Sequence, residues 1–409
     1  MAVNTMKQDV VIVGGGVAAV NAIKAIREVS SDINIHVIQH EPVYPYYRTR
    51  LTKNLFEDLD IDKILLQKKE WYEQNKVNLY LGKEVTSLDT DNSTVRLDDG
   101  SNLKYDKLLL ANGSFNFKPP IEGIDKENVY TIRTFEDIQT IKANTEDKKT
   151  ILHIGGGIQN LEAAWAFCSH GKEVIVAEFM DKLMPRQLDD RASQILKNAV
   201  EASNVKVLLG TQVVAITGED KVSGAITKNG DTIHCDMVVY SVGIRPNKKL
   251  YENTAIKTNI GVIVNEHMQT NLENVYAAGD IAELDGKVMG LWPVAIEQGK
   301  IAGYNIVGKD ATYHSSLPVT LMNAFNLSIF SVGIVDENSS SLTLTDDPGD
   351  GQSYKRIFIQ DNIILGAIMI GDNKYNNLLK KFIENKTDIS SINLSNISVA
   401  DLLEQLKSL

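Results

Sequence analysis

Cysteine is nearly missing: Cys168 and Cys235 are the only two in 409 residues. Two thiols cannot by themselves build a disulfide framework or a four-ligand metal site. No apolar run approaches the ~20 residues of a membrane span, and the first residues lack the basic-then-apolar order of a signal peptide. The cytoplasm is therefore the expected location, with no membrane partner. Basic residues are also outnumbered, 42 Lys and Arg against 53 Asp and Glu, for a formal charge of −11. That balance argues against general nucleic-acid binding, although a local basic patch could still recruit an acidic protein.

What is present has the proportions of an ordinary globular chain, 43% hydrophobic and 23% charged, with a length that implies about two to four domains. One supersecondary plan occurs twice. Val10–Val13 is a short β-branched run that stops at Gly14 and reads as an inner parallel strand. Gly14-x-Gly16-x-x-Ala19 then opens a helix expected through Arg27, and a second strand follows at Ile33–Ile38. The first glycine permits a tight turn and the second lets the backbone approach a pyrophosphate, while the small third residue lets helix and strand pack closely. The helix N-terminus adds free N–H groups and the positive end of its dipole. Glu41 follows at about the distance of an acid that holds a ribose hydroxyl.

The second copy has its strand at Thr150–Ile154, its turn at Gly155-x-Gly157-x-x-Asn160, its helix at Leu161–Ser169 and its next strand at Glu173–Ala177. Glu178 ends that strand. A carboxylate there accepts from the ribose 2′- and 3′-hydroxyls and repels a 2′-phosphate, so this site should prefer NADH to NADPH. Asn160 stands where Gly or Ala is usual and should loosen the helix packing slightly. Two such devices suggest two dinucleotides that meet, one a flavin and the other a hydride donor. A duplicated domain with one dead copy is the alternative, and the segments outside the repeats decide between them.

Those segments are "PYYRTRLTK" (Pro45–Lys53), "YDKLLLANGS" (Tyr105–Ser114), "SVGIRPN" (Ser241–Asn247), "NVYAAGDIA" (Asn274–Ala282) and "GLWPVAIEQGKIAG" (Gly290–Gly303). In order and spacing, over roughly residues 8–310, they resemble the signature stretches of FAD-dependent pyridine-nucleotide oxidoreductases. The likeness is to the branch serving separate electron carriers, which includes NADH:rubredoxin oxidoreductases and the flavin modules of assimilatory nitrite reductases. Ferredoxin reductases and apoptosis-inducing factor are more distantly similar.

The resemblance implies a role for each matching position. Gly14, Gly16 and Ala19 would hold the FAD pyrophosphate and Glu41 its adenosine ribose, although relatives often place that acid where His40 stands. Arg48 and Lys53 match residues at the flavin, the lysine near N5. Ala111 and Gly113 end a strand beside the flavin, and Asn112 replaces a usual Thr. Gly279 and Asp280 form the "AAGD" turn, where the acid would accept from the ribityl chain at a helix N-terminus. Trp292 and Pro293 would wall the flavin. Gly155, Gly157 and Glu178 would hold NADH, and Glu162 would pair with Lys53 near the nicotinamide.

Plainer readings stand beside these. Arg48 could be an exposed loop charge, Lys53 and Glu162 solvated helix charges, and Trp292 ordinary core. His153, between apolar strand residues, reads as a satisfied core histidine, and Cys168 and Cys235 as small buried hydrophobes. No cysteine precedes Cys168, so Tyr44–Leu55 lacks the thiols that disulfide reductases and the NADH oxidase and peroxidase relatives carry at the flavin. Thiol relay chemistry is not expected on that ground. A nitrite reductase would further need iron–sulfur ligands and a sirohaem site, which two cysteines cannot supply.

From about Ala311 the pattern changes to strands near Ser341–Thr345, Tyr354–Gln360 and Ile363–Ile370, then a helix Tyr375–Asn385. A last helix starts at Ser398, whose Ser-x-x-Asp pattern caps a run of Leu402, Leu403, Leu406 and Leu409. By resemblance this is an interface domain, which could form a homodimer contact, cover the flavin or dock the acceptor.

The expected fold class is α/β, with two Rossmann-like dinucleotide-binding domains, for FAD and NAD, plus a small α+β C-terminal domain. The FAD domain is expected at about 1–115 and 245–310, the NADH domain at about 116–244 and the C-terminal domain at 311–409. FAD and NADH are the expected cofactors, with no metal. The expected activity is hydride transfer from NADH to FAD, then single electrons to a small carrier protein, rubredoxin being the first guess. A redox sensor acting through partner binding and an enzyme that reduces oxygen directly remain the alternatives.

Overall fold

The computed structural model describes residues 8–57, 60–314 and 317–409. The chain divides into two compact units, one of Met1–Arg50, Leu59–Phe117 and Gly243–Ser316, the other of Leu51–Asp58, Lys118–Val242 and Leu317–Leu409.

The first unit is built on a five-stranded parallel sheet. Its order is Val275–Ala277, Lys107–Leu110, Asp9–Val13, Asn34–Gln39, Val77–Leu81. These strands are short and rich in Val, Ile and Leu because helices and loops cover both faces. Strand order reverses beside the central Asp9–Val13 strand: Asn34–Gln39 and Val77–Leu81 lie on one side, Lys107–Leu110 and Val275–Ala277 on the other. Such a switch point leaves a crevice at the carboxyl ends of the two strands, where ligands of open α/β sheets bind. Helix Val17–Val29 packs on helix Trp292–Ile306, and Gly299 permits the approach, since a Cβ there would lie 2.2 Å from the Ala18 carbonyl oxygen.

The second unit repeats the sheet in the order Val205–Leu208, Glu173–Ala177, Thr150–Ile154, Met237–Tyr240, Val129–Tyr130, again all parallel. The repetition extends beyond the sheets. Each unit carries a three-stranded antiparallel meander, Val85–Asp89 with Thr94–Leu97 and Asn102–Lys104 in one, Val213–Thr217 with Gly224–Thr227 and Thr232–His234 in the other.

The C-terminal part of the second unit is a five-stranded antiparallel sheet. Its order is Val319–Ala324, Leu327–Gly333, Ile363–Ile370, Tyr354–Gln360, Leu342–Asp346. Helices Asn376–Glu384 and Val399–Leu406 bury Leu379, Phe382, Leu402, Leu403 and Leu406 with Phe330, Ile357 and Met369 of the sheet. Ser398 caps the last helix, its Oγ accepting from Asp401 N at 3.0 Å. Leu409 does not join the leucine stripe as expected: the helix ends at Leu406, and Leu409 is exposed beyond it. This sheet is tied to the nucleotide fold through Asp189, which caps helix Asp190–Ala202 by accepting from Ala192 N at 2.8 Å. The other oxygen of Asp189 accepts from Tyr354 Oη at 2.6 Å and Arg356 Nη1 at 3.1 Å. Among the described residues no helix is long and apolar enough to cross a membrane.

Candidate cofactor and active site

In the first unit Gly14 follows the central strand with φ +100°, and a Cβ there would lie 2.4 Å from the Ala111 carbonyl oxygen. The turn thus passes directly over the end of the neighbouring strand, which only glycine allows. Gly16 is the N-cap of helix Val17–Val29 with no side-chain cap, and nothing lies within 4 Å of a Cβ built on it. A helix start with uncapped N–H groups facing open space fits a diphosphate. Ala19 is fully buried behind it.

The two repeats can be superposed by their ladders. Val13 pairs with Ile38 and Gly14 N donates to the Ile38 carbonyl at 2.8 Å; Ile154 pairs with Ala177 and Gly155 N donates to the Ala177 carbonyl at 2.8 Å. Gln39 therefore holds in the first unit the position that Glu178 holds in the second. Their contacts agree: Gln39 Oε1 accepts from Gly15 N at 2.8 Å, and Glu178 Oε2 accepts from Gly156 N. Gln39 is 4% exposed, and its Nε2 group makes no hydrogen bond to the described residues, so two donors remain for a ligand. Gln39 gives no signal in the sequence, because the acid expected at this place is a neutral amide. Aligning the two strand ends would have found it.

Glu41 lies two residues further on and is engaged by Arg48 and by Tyr46 Oη, the latter at 2.7 Å. His40 is exposed, 3.9 Å from Glu84. Arg48 belongs to the short 3-10 turn Arg48–Arg50. Burial works against its charge, but Tyr46, Glu41 and Asp280 outweigh that and make it more basic than an ordinary arginine. Asp280 accepts from Ser114 Oγ at 2.7 Å. It does not sit at a helix N-terminus, as expected, but in the turn between strands Val275–Ala277 and Ala282–Glu283. The helix that serves this turn begins later, at Trp292, and reaches back through buried Gln298, whose Oε1 accepts from Gly279 N at 2.8 Å. Gly113 accepts from Asn247 N at 2.9 Å, and Asn112 Oδ1 accepts from Tyr251 Oη at 2.8 Å.

The second unit has the same turn. Gly155 has φ +108°, with the Ser241 carbonyl oxygen 2.4 Å from a built Cβ, and Gly157 is an uncapped helix start with open space before it. A second diphosphate fits here. Glu178 also accepts from Met180 N at 2.7 Å, and its oxygens retain lone pairs for ribose hydroxyls. Asn160 does not loosen the helix. It is 1% exposed and fully bonded, its Nδ2 donating to the Gly155 carbonyl at 2.7 Å and its Oδ1 lying 2.9 Å from His153 Nδ1. A side chain that returns to the turn replaces the close packing a glycine would give.

Lys53, in the turn that precedes Asn54, brings Nζ to 3.5 Å from Glu162 Oε1. Thr52 Oγ1 donates to Glu162 Oε2 at 2.9 Å. Glu162 is buried near the start of helix Ile158–Ser169. Burial raises its pKa above the ordinary carboxylate value, opposed by Lys53 and Thr52. A half-exposed ammonium thus faces a buried carboxylate, so Glu162 is not a solvated helix charge. Both cysteines are free thiols. Burial raises the pKa of each, that of Cys235 to about 12, so neither is a thiolate near neutrality.

Residues 8–299 match the family model described as pyridine nucleotide-disulphide oxidoreductase, and residues 318–387 match that of the rubredoxin NAD+ reductase C-terminal domain. The chain belongs to the pyridine nucleotide-disulphide oxidoreductase family. It is an NADH-dependent oxidoreductase with FAD and NADH as cofactors. It is 37% identical over 402 residues to nitrite reductase [NAD(P)H] of Bacillus subtilis, covering 98% of this chain but spanning only 50% of that protein. It is 31% identical over 394 residues to NADH-rubredoxin oxidoreductase of Clostridium acetobutylicum, covering 96% of this chain and 98% of the relative. The crystal structure of NADH:rubredoxin oxidoreductase from Clostridium acetobutylicum superposes with a TM-score of 0.80 at 30% identity, covering 98% of this chain and all of that one.

Proposed function

We propose that this chain draws electrons from NADH and hands them one at a time to a small metal-centre carrier protein of the rubredoxin kind. The observation that carries the reading is the pair of matching diphosphate turns in one chain, with no thiol in the stretch next to the first. FAD, when bound, supplies the step between a two-electron donor and a one-electron acceptor.

The chain's own residues do the rest. Gly14, Gly16 and the helix start behind them bind the FAD diphosphate, and Gln39 donates to its adenosine ribose, leaving Glu41 to position Arg48. Arg48 and Asp280 fix the flavin end, with Ala111, Gly113, Gly279 and Trp292 shaping its bed. Gly155, Gly157 and Glu178 bind NADH and select against a 2′-phosphate. Lys53, steadied by Glu162 and Thr52, offers a fixed positive charge to the group that becomes negative on reduction; a preorganised charge of this kind lowers a barrier without reorganising as reaction proceeds.

Anaerobic mixing with NADH should bleach the flavin, and oxidised rubredoxin should then restore its colour. A panel of rubredoxin, ferredoxin and oxygen measures preference. Equal turnover with oxygen alone would replace the carrier reading by an oxidase, and bleaching without turnover on any acceptor would replace it by a sensor.

A further inference from the structure

The Arg48–Arg50 turn carries Arg50, and Tyr47 precedes it; neither has a part in the cofactor binding described above. Backbone bonds brace it from the chain beside it: Tyr47 N donates to the Ile64 carbonyl and Leu66 N to the Pro45 carbonyl, both at 2.8 Å. On this base the Tyr47 side chain stands 39% exposed. Its ring stacks on that of Trp292, with centroids 5.9 Å apart and planes inclined by 30°. The guanidinium of Arg50 lies over the Tyr47 ring, 5.7 Å from its centroid. All three residues belong to the first unit.

Leaving a large aromatic ring in water forgoes burial free energy, and a rigid Trp–Tyr–Arg cluster has the composition of interface hot spots. The local charges point to the sign of the partner. Glu41 is matched by Arg48 and Asp62 by Lys69 at 3.8 Å, while Asp60 turns Oδ1 to Asp62 N at 3.1 Å. Arg50 has no ion pair among the described residues. On a chain of formal charge −11, an acidic protein is repelled over most of the surface and drawn to such an unmatched cation.

We propose that Arg50, Tyr47 and Trp292 form the docking platform for the electron carrier, and that the carrier meets it with an acidic face. The proposal rests on the carrier reading above and gives it a location. Trp292, expected to wall the flavin, links the platform to the donor. In balance, one NADH and two oxidised carriers give NAD+, two reduced carriers and one proton, each carrier taking one electron in its own encounter. The stack supplies contact and orientation and is not itself oxidised.

Purified rubredoxin is the probe. Arg50→Glu should raise its KM and its calorimetric Kd about tenfold or more and flatten their dependence on salt. Arg50→Lys, which keeps the charge, should recover part of the loss, and Tyr47→Leu should weaken binding without changing the salt slope. FAD content and bleaching by NADH without carrier should match wild type in Arg50→Glu, which shows a folded, reducible protein. Should Tyr47→Leu lose FAD, the arginine pair decides alone. If wild type reduces rubredoxin and Arg50→Glu does so with unchanged KM, Kd and salt slope, the platform is wrong and the carrier reading survives. If wild type neither binds nor reduces it, both fall.

Discussion

His153 donates through Nδ1 to Asn160 Oδ1 at 2.9 Å, which ties the strand before the second glycine turn to the helix after it. Because the Asn160 amide nitrogen is committed to the Gly155 carbonyl, its oxygen must face the ring. His153 therefore carries its proton on Nδ1, and its Nε2 is buried without a partner among the described residues. Burial pushes the imidazole pKa down to about 4, against the weaker opposing effect of Asn160.

That depression makes stability depend on pH with a definite sign. The unfolded ring titrates near its ordinary ~6.5, so the unfolded chain takes up the proton first as pH falls. The contribution is complete above that value, declines below it and is lost as pH passes through about 4. At pH 5 the loss should be about 2 kcal/mol. Urea unfolding at pH 8 and pH 5 should show wild type losing more stability than His153→Val, which pays a constant cost for the orphaned Asn160. Equal losses in the two proteins would mean that the buried ring does not titrate on unfolding.

Gln39 and Glu178 occupy equivalent positions but carry different charges, which allows a reciprocal test. Glu178→Gln keeps an oxygen for Gly156 N, as Gln39 does for Gly15 N, and removes only the charge. The ratio of kcat/KM for NADH over NADPH should fall about tenfold, or about 1.4 kcal/mol. Gln39→Ala should retain less FAD through gel filtration, and Gln39→Glu should retain more than Gln39→Ala. A wild type that uses both nucleotides equally would remove the role given to Glu178, and undiminished FAD in Gln39→Ala would return the ribose to Glu41.

The parallel strands were legible because their signal is dense. Thr150–Ile154 lies where its apolar run and the following Gly155 place it, and Glu173–Ala177 where its β-branched run does. Gln39 was not legible, since a neutral amide at a strand end carries no charge signal and only the ladder register shows its equivalence to Glu178. Asn160 read as a packing defect because its partner His153 stands seven residues earlier on another element. Asp280 was misplaced for a similar reason: the "AAGD" turn is supported by Gln298, from a helix that begins twelve residues after it. The antiparallel meanders went unread because three to five mixed residues have no periodicity to detect.

Thiol independence follows from where the cysteines lie. Cys235 is buried and Cys168 Sγ donates to the Ser203 carbonyl at 3.0 Å. A Cys168→Ser, Cys235→Ser double variant should keep most of its NADH-dependent flavin bleaching, with a modest loss of thermal stability because a hydroxyl replaces a buried thiol. Loss of bleaching in a folded variant that retains FAD would restore a thiol mechanism.

Lys53 and Glu162 give the sharpest test of the chemistry. If the ammonium favours the charge that develops on reduction, Lys53→Met should slow bleaching by NADH about a hundredfold while FAD stays bound through the first glycine turn. Glu162→Gln should have a smaller effect, about tenfold, since the lysine keeps its charge and loses its fixed position. The raised pKa of Glu162, set chiefly by burial, adds a second readout. Protonating the carboxylate releases Lys53 as the Gln substitution does, so the wild-type bleaching rate should fall toward that of Glu162→Gln as the solution is acidified. The fall should begin above the ordinary carboxylate range, and the variant itself should be flat there. Rapid-mixing traces over that range measure this before any acceptor enters. Parallel pH profiles for wild type and Glu162→Gln, with an unchanged rate in Lys53→Met, would reduce the pair to a structural tie between Thr52–Lys53 and the helix that follows Gly157.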